Sequence, residues 1–372
     1  MYNITRQICL GDDLWYPAGS ALMLSIILII CGCQEVEDVD TNSLNSPPPA
    51  FCGVASSELV RCPRPWLPYL ERVPIGGHLE LNHLQQARIH VGLSLDLNQE
   101  APKQWSDNPH VEFSSLGLIK VFVKTESYPT THPEGGLCEE LIFSHIYKVV
   151  DAFDPQASLP TSEAIFMGDS SIIAWGEEVS DIQFGEGVKP AFQNVERALG
   201  PAKGGAFDIV SLGQGGQLTF YFEEGVANGP GADFTIFENS FSDFFLELAI
   251  VEVSTDGEHF TPLPHAYLGD ELIHAFGEHD PTLIYGLAGK YIAGFGTPFD
   301  LSTLAWSPDT QSGVLDLHAI HYIKVIDIIG DGMSRDSFQH PMYDPYPTSE
   351  SAGLDLEAIG VLHSSKTDPC PL

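Results

Sequence analysis

The chain has 372 residues, and its 51 aspartates and glutamates far outnumber its 16 lysines and arginines, giving a formal net charge of −35. Nucleic acid is excluded as a natural partner, because binding it requires Lys and Arg to neutralise phosphates. So large a negative charge must be hydrated, screened or neutralised. A solvated acidic surface meets that demand, and so do carboxylates that hold Ca²⁺, a hard cation with oxygen ligands.

Residues 21–30, ALMLSIILII, form an apolar run that falls short of the roughly 20 residues a membrane-spanning helix needs. Its length suits the apolar core of a signal peptide. The run ends in Ile30-Cys31-Gly32-Cys33, which resembles a bacterial lipobox: an apolar residue, small residues and an obligatory cysteine. On that resemblance Cys33 carries the lipid and opens the mature chain. Gln34 in place of Asp after it resembles outer-membrane sorting. An ordinary signal peptide or a buried apolar segment is the alternative. The expectation is an exported protein with a signal peptide over 1–33, lipid-anchored at the outer membrane or cell surface. After Cys33 come Cys52, Cys62, Cys138 and Cys370. An even count in an exported chain permits two disulfides with three connectivities, Cys52–Cys62 with Cys138–Cys370 among them. No Cys-x-x-Cys or zinc spacing is present.

Residues 34–75 open acidic and continue rich in Ser, Asn and Pro, the composition of a flexible tether. Residues 76–155 are expected to form a small accessory region. HVEF at 110–113 and GLIKVFVKT at 117–125 alternate like strands, whereas ELIFSHIYKVVDAF at 140–153 fits either a helical or a strand period. From about residue 160, short apolar runs alternate with clusters of Gly, Pro, Asn and Asp. Leu218, Phe220 and Phe222 fall on one face of a strand. The run 233–238 follows the turn Asn228-Gly229-Pro230-Gly231, and further runs cover 246–253, 320–326 and 354–362. This spacing predicts an all-β protein, a jelly-roll-like β-sandwich over 160–364 that folds without 34–155, with a short tail at 365–372. Gln193–Leu199 suits two helical turns. The stretch 264–316, dense in Gly, Pro and His, is expected to form functional or capping loops.

Carboxylates in Gly-rich turns are the first candidates for chemistry. Asp327, Asp331 and Asp336 lie in DIIGDGMSRD directly after an apolar strand. A strand end followed by a glycine turn can fold several oxygens around one cation, although the spacing is not that of an EF-hand. The alternative is a solvated turn in which aspartate caps backbone N–H groups. In a regular strand Asp233 and Glu238 face opposite sides, which leaves Glu238 and Asn239 as the better ligand pair. Asp355 and Glu357 share a face. The expected Ca²⁺ ligands are Asp327 and Asp331, with Glu238, Asn239, Asp344 and Asp355. Tyr343 and Tyr346 sit on a proline-stiffened loop, where rings can stack on sugar faces at low entropic cost. Trp306 lies with Phe295 and Phe299 near a second Gly-rich loop. Closing the end of a sandwich core is the alternative role for these aromatics. The sequence has no G-x-S-x-G, no H-E-x-x-H and no P-loop, which favours a binding module over an enzyme.

Several longer segments carry a family resemblance: DIVSLGQGGQLTFYF from 208, NGPGADFTIFEN from 228, ELAIVEVSTDGEHF from 247, GLAGKYIAGFGTPFDL at 286–301, VIDIIGDG at 325–332 and YDPYPTSESAGLDLEAIGVL at 343–362. Together they resemble a family of bacterial cell-surface proteins, often lipoproteins or otherwise anchored to the wall. The domain of that family is similar to the discoidin, or galactose-binding-like, β-sandwich. The resemblance covers roughly 165–363. It implies carbohydrate or other ligand binding and structural calcium. In similar sandwiches an acidic residue near the last strand helps hold the ion beside an N-terminal loop, where Asp169 and Glu177 lie here. The function expected is a calcium-stabilised surface lipoprotein that binds an extracellular glycan or other small ligand. An accessory lipoprotein for outer-membrane uptake and a polysaccharide hydrolase are the alternatives. A shallow aromatic rim would favour binding, a deep cleft with two facing carboxylates hydrolysis, and a wide apolar pocket uptake.

Overall fold

The computed structural model describes residues 67–68, 70–81, 87–127, 140–205 and 207–366. The signal-like segment, Cys33 and the four cysteines weighed for disulfides lie outside the described residues. Among the described residues no helix is long and apolar enough to cross a membrane.

The N-terminal part contains β1 (Arg72–Pro74), β2 (His78–Glu80), β3 (Ala87–Ser94), β4 (His110–Glu112), β5 (Gly117–Ser127) and β6 (Leu141–Val150). The segment that fits both periods is thus a strand. His145, Tyr147 and Val149 are buried while Ile142, Ser144 and Lys148 are exposed, the period of two that a half-buried strand demands. Four strands form a sheet in the order β1-β6-β5-β3, with β1 parallel to β6 and the other pairs antiparallel. β2 and β4 form a separate ribbon.

The sandwich is built from β7 (Ile165–Phe166), β8 (Ala174–Trp175), β9 (Glu178–Gln183), β10 (Val210–Ser211), β11 (Gln217–Val226), β12 (Phe234–Glu238), β13 (Ala249–Ser254), β14 (Thr261–Pro262), β15 (Ala266–Tyr267), β16 (Ile284–Tyr285), β17 (Phe295–Phe299), β18 (Ile320–Asp327) and β19 (Asp355–Val361). One sheet runs β10-β19-β12-β17-β7, with β8 also on β19, and the other runs β14-β13-β18-β11-β9. Every pairing in both sheets is antiparallel. Their inner faces meet in one core. Leu218, Phe220, Phe222, Val251, Val253, Ile323 and Val325 come from one sheet, and Phe234, Ile236, Phe299, Leu356, Ile359 and Val361 from the other. The chain is an all-β sandwich. Its only described α-helix is α1 (Pro308–Ser312), and Val195–Ala198 forms a 3₁₀ turn.

Three strands depart from the loop expectation for 264–316: β15 and β16 pair with each other as a separate ribbon, and β17 joins the sandwich. The stretch 264–316 contains β17, which pairs with β12 through Phe234↔Phe299, Thr235↔Pro298, Ile236↔Thr297 and Phe237↔Gly296. Its Gly and Pro read as loop chemistry, yet each has a place in the sheet. A Cβ on Gly296 would lie 2.2 Å from Thr235 Oγ1, so only glycine lets the strands approach. Phe299 stacks on Phe234 with centroids 5.1 Å apart, and the aromatic payload outweighs the poor strand propensity of its neighbours.

The N-terminal sheet and the sandwich segments share apolar contacts. A second core joins Val73, Val111, Phe113, Val121, Val123, Tyr147 and Val149 to Ala266 and Phe338. Phe113 meets Phe338 edge-on at 6.2 Å, and Phe153 stacks on Tyr285 at 5.3 Å. Residues 160–364 produced alone are expected to show β-rich circular dichroism and one cooperative melt. The midpoint should lie below that of the full chain, because Phe338, fully buried in the full chain, loses its cover. An unfolded product would mean that 67–155 belongs to one indivisible core.

Candidate functional site

At one end of the sandwich five carboxylates lie buried within electrostatic reach of one another. Glu238 ends β12 and Asp327 ends β18. Asp355 opens β19. Glu247 precedes β13, and Asp344 comes from the segment before β19. All five are 5% exposed or less. Ordinary burial practice pairs such groups with Lys or Arg. Here no described lysine or arginine forms an ion pair with any of them. The one basic contact is His279 Nε2, 3.4 Å from Asp344 Oδ1, and burial pushes this imidazole down to about 3, so it is neutral.

Backbone donors hold most of these groups. Asp327 accepts the N–H of Gly215 at 2.8 Å on one oxygen and that of Leu354 at 2.7 Å on the other. It thereby clamps two loops to the end of β18. Gly353 leaves room for this, since a Cβ there would lie 2.7 Å from Asp327 Oδ1. Asp344 accepts Leu248 N–H at 2.9 Å, Glu238 accepts Ser240 N–H at 2.7 Å, and Asp355 accepts the Ser211 hydroxyl. Glu247 accepts no hydrogen bond among the described residues. Beside them Glu357 takes the N–H groups of Lys203 and Gly204 at 2.6 Å on one oxygen, while its buried Oε2 has no partner.

Desolvation is the largest influence on the charge of each member, and repulsion from neighbouring carboxylates adds to it for Glu238, Glu247 and Asp327. Burial holds Glu238, Glu247, Asp327 and Asp344 well above the usual carboxylate range. Asp355 is pushed up to about 7 by burial, against the Ser211 hydrogen bond. For Glu247 the added repulsion comes from Asp355, Asp344, Glu238 and Asp327 in turn. Such an arrangement can hold protons or bind a cation.

Of the expected ligands, Asp327, Glu238, Asp344 and Asp355 come together, and Asn239 beside Glu238 is buried. Asp331 does not join them. It is exposed and accepts the N–H of Met333 in its own turn, the capping alternative for that motif. Asp336 caps Phe338, His340 and Tyr267 N–H groups instead. Asp169 is exposed and caps Ser171, and Glu177 is exposed. Glu247 escaped the sequence reading because it alternates with Leu246 and Leu248 like a solvent-facing strand position. Among the described residues no group of three or more His, Cys, Asp or Glu side chains is placed so that it could hold a metal ion. Oε2 of Glu357 is buried without a donor.

Over this layer lies a set of exposed aromatics. Phe276 is 81% exposed, Phe241 66% and Phe244 42%. Phe276 adopts φ 62°, an uncommon left-handed conformation for a bulky residue, and its ring stacks on Phe245 at 6.1 Å. Tyr346 joins the group, because its N–H bonds to Ile273 O at 3.1 Å and His279 N–H bonds to Phe244 O at 2.7 Å. Tyr343 and Trp306 serve packing instead. Tyr343 lies edge-on to Tyr267 and packs on the cluster of Leu246, Leu248, Leu287 and Met342, and Trp306 packs on the main core.

No family model matches the sequence, and no curated protein matches it. A comparison of folds finds the SusE-like protein BT2857, 10% identical, at a TM-score of 0.24, with 78% of this chain and 95% of that chain covered. A superposition at that score carries no argument about fold or function, and the discoidin-like assignment is not confirmed by these comparisons. The all-β sandwich and its buried carboxylates therefore rest on the chain's own residues.

Proposed function

We propose that this chain is a lipid-anchored cell-surface module that binds glycan on an aromatic rim stiffened by Ca²⁺. The observation that carries the reading is the seating of exposed Phe241, Phe244, Phe276 and Tyr346 on loops rooted in the buried carboxylates. Contiguous exposed apolar surface marks interaction sites, and ring faces stack on the apolar faces of sugars. Glu238, Glu247, Asp327, Asp344 and Asp355 are the residues that would hold the cation, with Asn239 and Glu357 beside them. Bound there, Ca²⁺ supplies the positive charge that the buried layer lacks. Anchoring through Cys33 rests on the lipobox resemblance.

The carboxylates give a signed pH dependence. Their folded values are raised, so the stability they contribute is fully present below the ordinary carboxylate range. It is lost as pH rises toward the folded values, about 7 for Asp355. For a shift of that size the loss is on the order of 4 kcal/mol. In chelator the melting temperature should fall between about pH 4 and pH 7. Millimolar Ca²⁺ should reverse the fall, by about 2.7 kcal/mol at a hundredfold excess over Kd. NaCl at matched ionic strength should not, and Mg²⁺ should substitute poorly. Glu247→Gln removes a charge without removing a hydrogen bond. It should raise the midpoint in chelator and shrink the Ca²⁺ shift, whereas Asp331→Ala should leave the shift unchanged. A NaCl shift equal to that of Ca²⁺ would place the effect in screening instead.

A glycan array with and without Ca²⁺ tests the rim. Phe276→Ala and Tyr346→Ala should each weaken binding about tenfold while leaving the melting temperature unchanged. Retained affinity in both variants would remove the rim from the function.

Cell fractionation tests the anchor. Cys33→Ser should move the protein out of the membrane fraction, and a variant that stays there would sink the lipid anchor.

A further inference from the structure

A cavity of about 450 Å³ opens between the strand β1 and the sandwich segments around β16 and β17. It shares no residue with the carboxylate layer or the aromatic rim. Its volume lies in the range of small-molecule sites. Arg72, Glu163, Tyr285, Lys290 and Tyr291 are among the residues that line it.

The charges in this cavity are unequally satisfied. Arg72 is already engaged: its guanidinium donates to both oxygens of Asp154 and, at 2.9 Å, to Glu163. Lys290 is 3% exposed, yet its ammonium has no hydrogen-bond or ion-pair partner among the described residues. The ammonium lies over the Tyr291 ring, 5.3 Å from its centroid. Lysines are almost never this buried without a partner, and an unpaired buried ammonium is costly. Burial pulls Lys290 down to about 8, and Asp154 and Glu163 act on it only at longer range. Burial also raises the Tyr285 and Tyr291 hydroxyls, so both remain protonated donors at neutral pH.

We infer that this cavity is a binding site for a small organic carboxylate whose anionic group pairs with the Lys290 ammonium. The cavity walls supply what such a ligand needs. Lys290 gives the counter-charge and the tyrosines give neutral donors, while the Arg72–Asp154–Glu163 network, one cation with two carboxyls, balances with a proton on Glu163, the direction in which burial and Asp154 push that carboxyl. A carboxylate fits better than a neutral sugar, because it brings a full counter-charge to an ammonium that has no ion-pair partner in direct contact among the described residues, where a hydroxyl would bring only an acceptor. A cation is disfavoured by the same group.

Calorimetric titration of the full chain at neutral pH tests this, with glucuronate and galacturonate as probes and glucose and galactose as their neutral counterparts. The uronates should bind and the neutral sugars should bind at least tenfold more weakly. Lys290→Met, which replaces the buried ammonium with an apolar group of similar length, should abolish uronate binding. Lys290→Arg should retain part of it, and an intact cooperative melt in each variant separates loss of the site from loss of the fold. No binding of either uronate at millimolar concentration, equal binding of the neutral sugars, or undiminished binding by Lys290→Met would each overturn the assignment. Because the cavity is separate from the rim, these results stand apart from the outcome of the rim variants.

Discussion

The placement of uncompensated carboxylates inside a folded end is the constraint on which this structure turns. Glu238, Glu247, Asp327, Asp344 and Asp355 sit where water is excluded, and no described cationic side chain answers them. Taking an ionised carboxylate out of water costs several kcal/mol even after the surroundings relax. The chain meets that cost partly with backbone N–H donors. Asp327 alone receives two, a geometry that favours the charged form and fixes the loops that carry it. The remainder is met by holding protons or by a counter-ion. Either way the loops at this end are bound to the state of the carboxylates beneath them.

That coupling reaches the exposed surface. Ser240 donates to the carbonyls of Ser242 and Phe245 and its N–H bonds to Glu238, so the segment bearing Phe241 and Phe244 is tied to a buried carboxylate through a single residue. His279 N–H, bonded to Phe244 O, joins the same segment to the loop of Phe276. Exposed rings on such short tethers lose little freedom when they meet a ligand.

Much of the sandwich was legible in the sequence because its strands obey a period of two. Leu218, Phe220 and Phe222 face the core as their spacing requires, and the carboxylates at strand ends were visible from the turn chemistry around them. The misses have physical causes. β17 was hidden because Gly296 and Pro298 serve strand packing at positions that normally mark loops. Glu247 was hidden because burial at that point comes from neighbouring loops, which local alternation does not encode. β19 is buried along its whole length, flanked within the sheet by β10, β8 and β12 and in contact with the 3₁₀ turn around Val195, and its register shifts opposite Glu238. Asp331 shows the converse. Its sequence context matches that of Asp327, yet it lies four residues past the strand, where the turn has already returned to solvent.

The position of β19 carries a further consequence. It lies between β10 and β12 in its sheet, although it is the last strand among the described residues. This pairing partner is thus the last of the described strands to be synthesised. Pairings of such long sequence separation are slow to form, since the intervening loop must close first. A ribosome-bound chain that has not yet completed β19 holds β12 with one open edge, and closure of that sheet waits for residue 361.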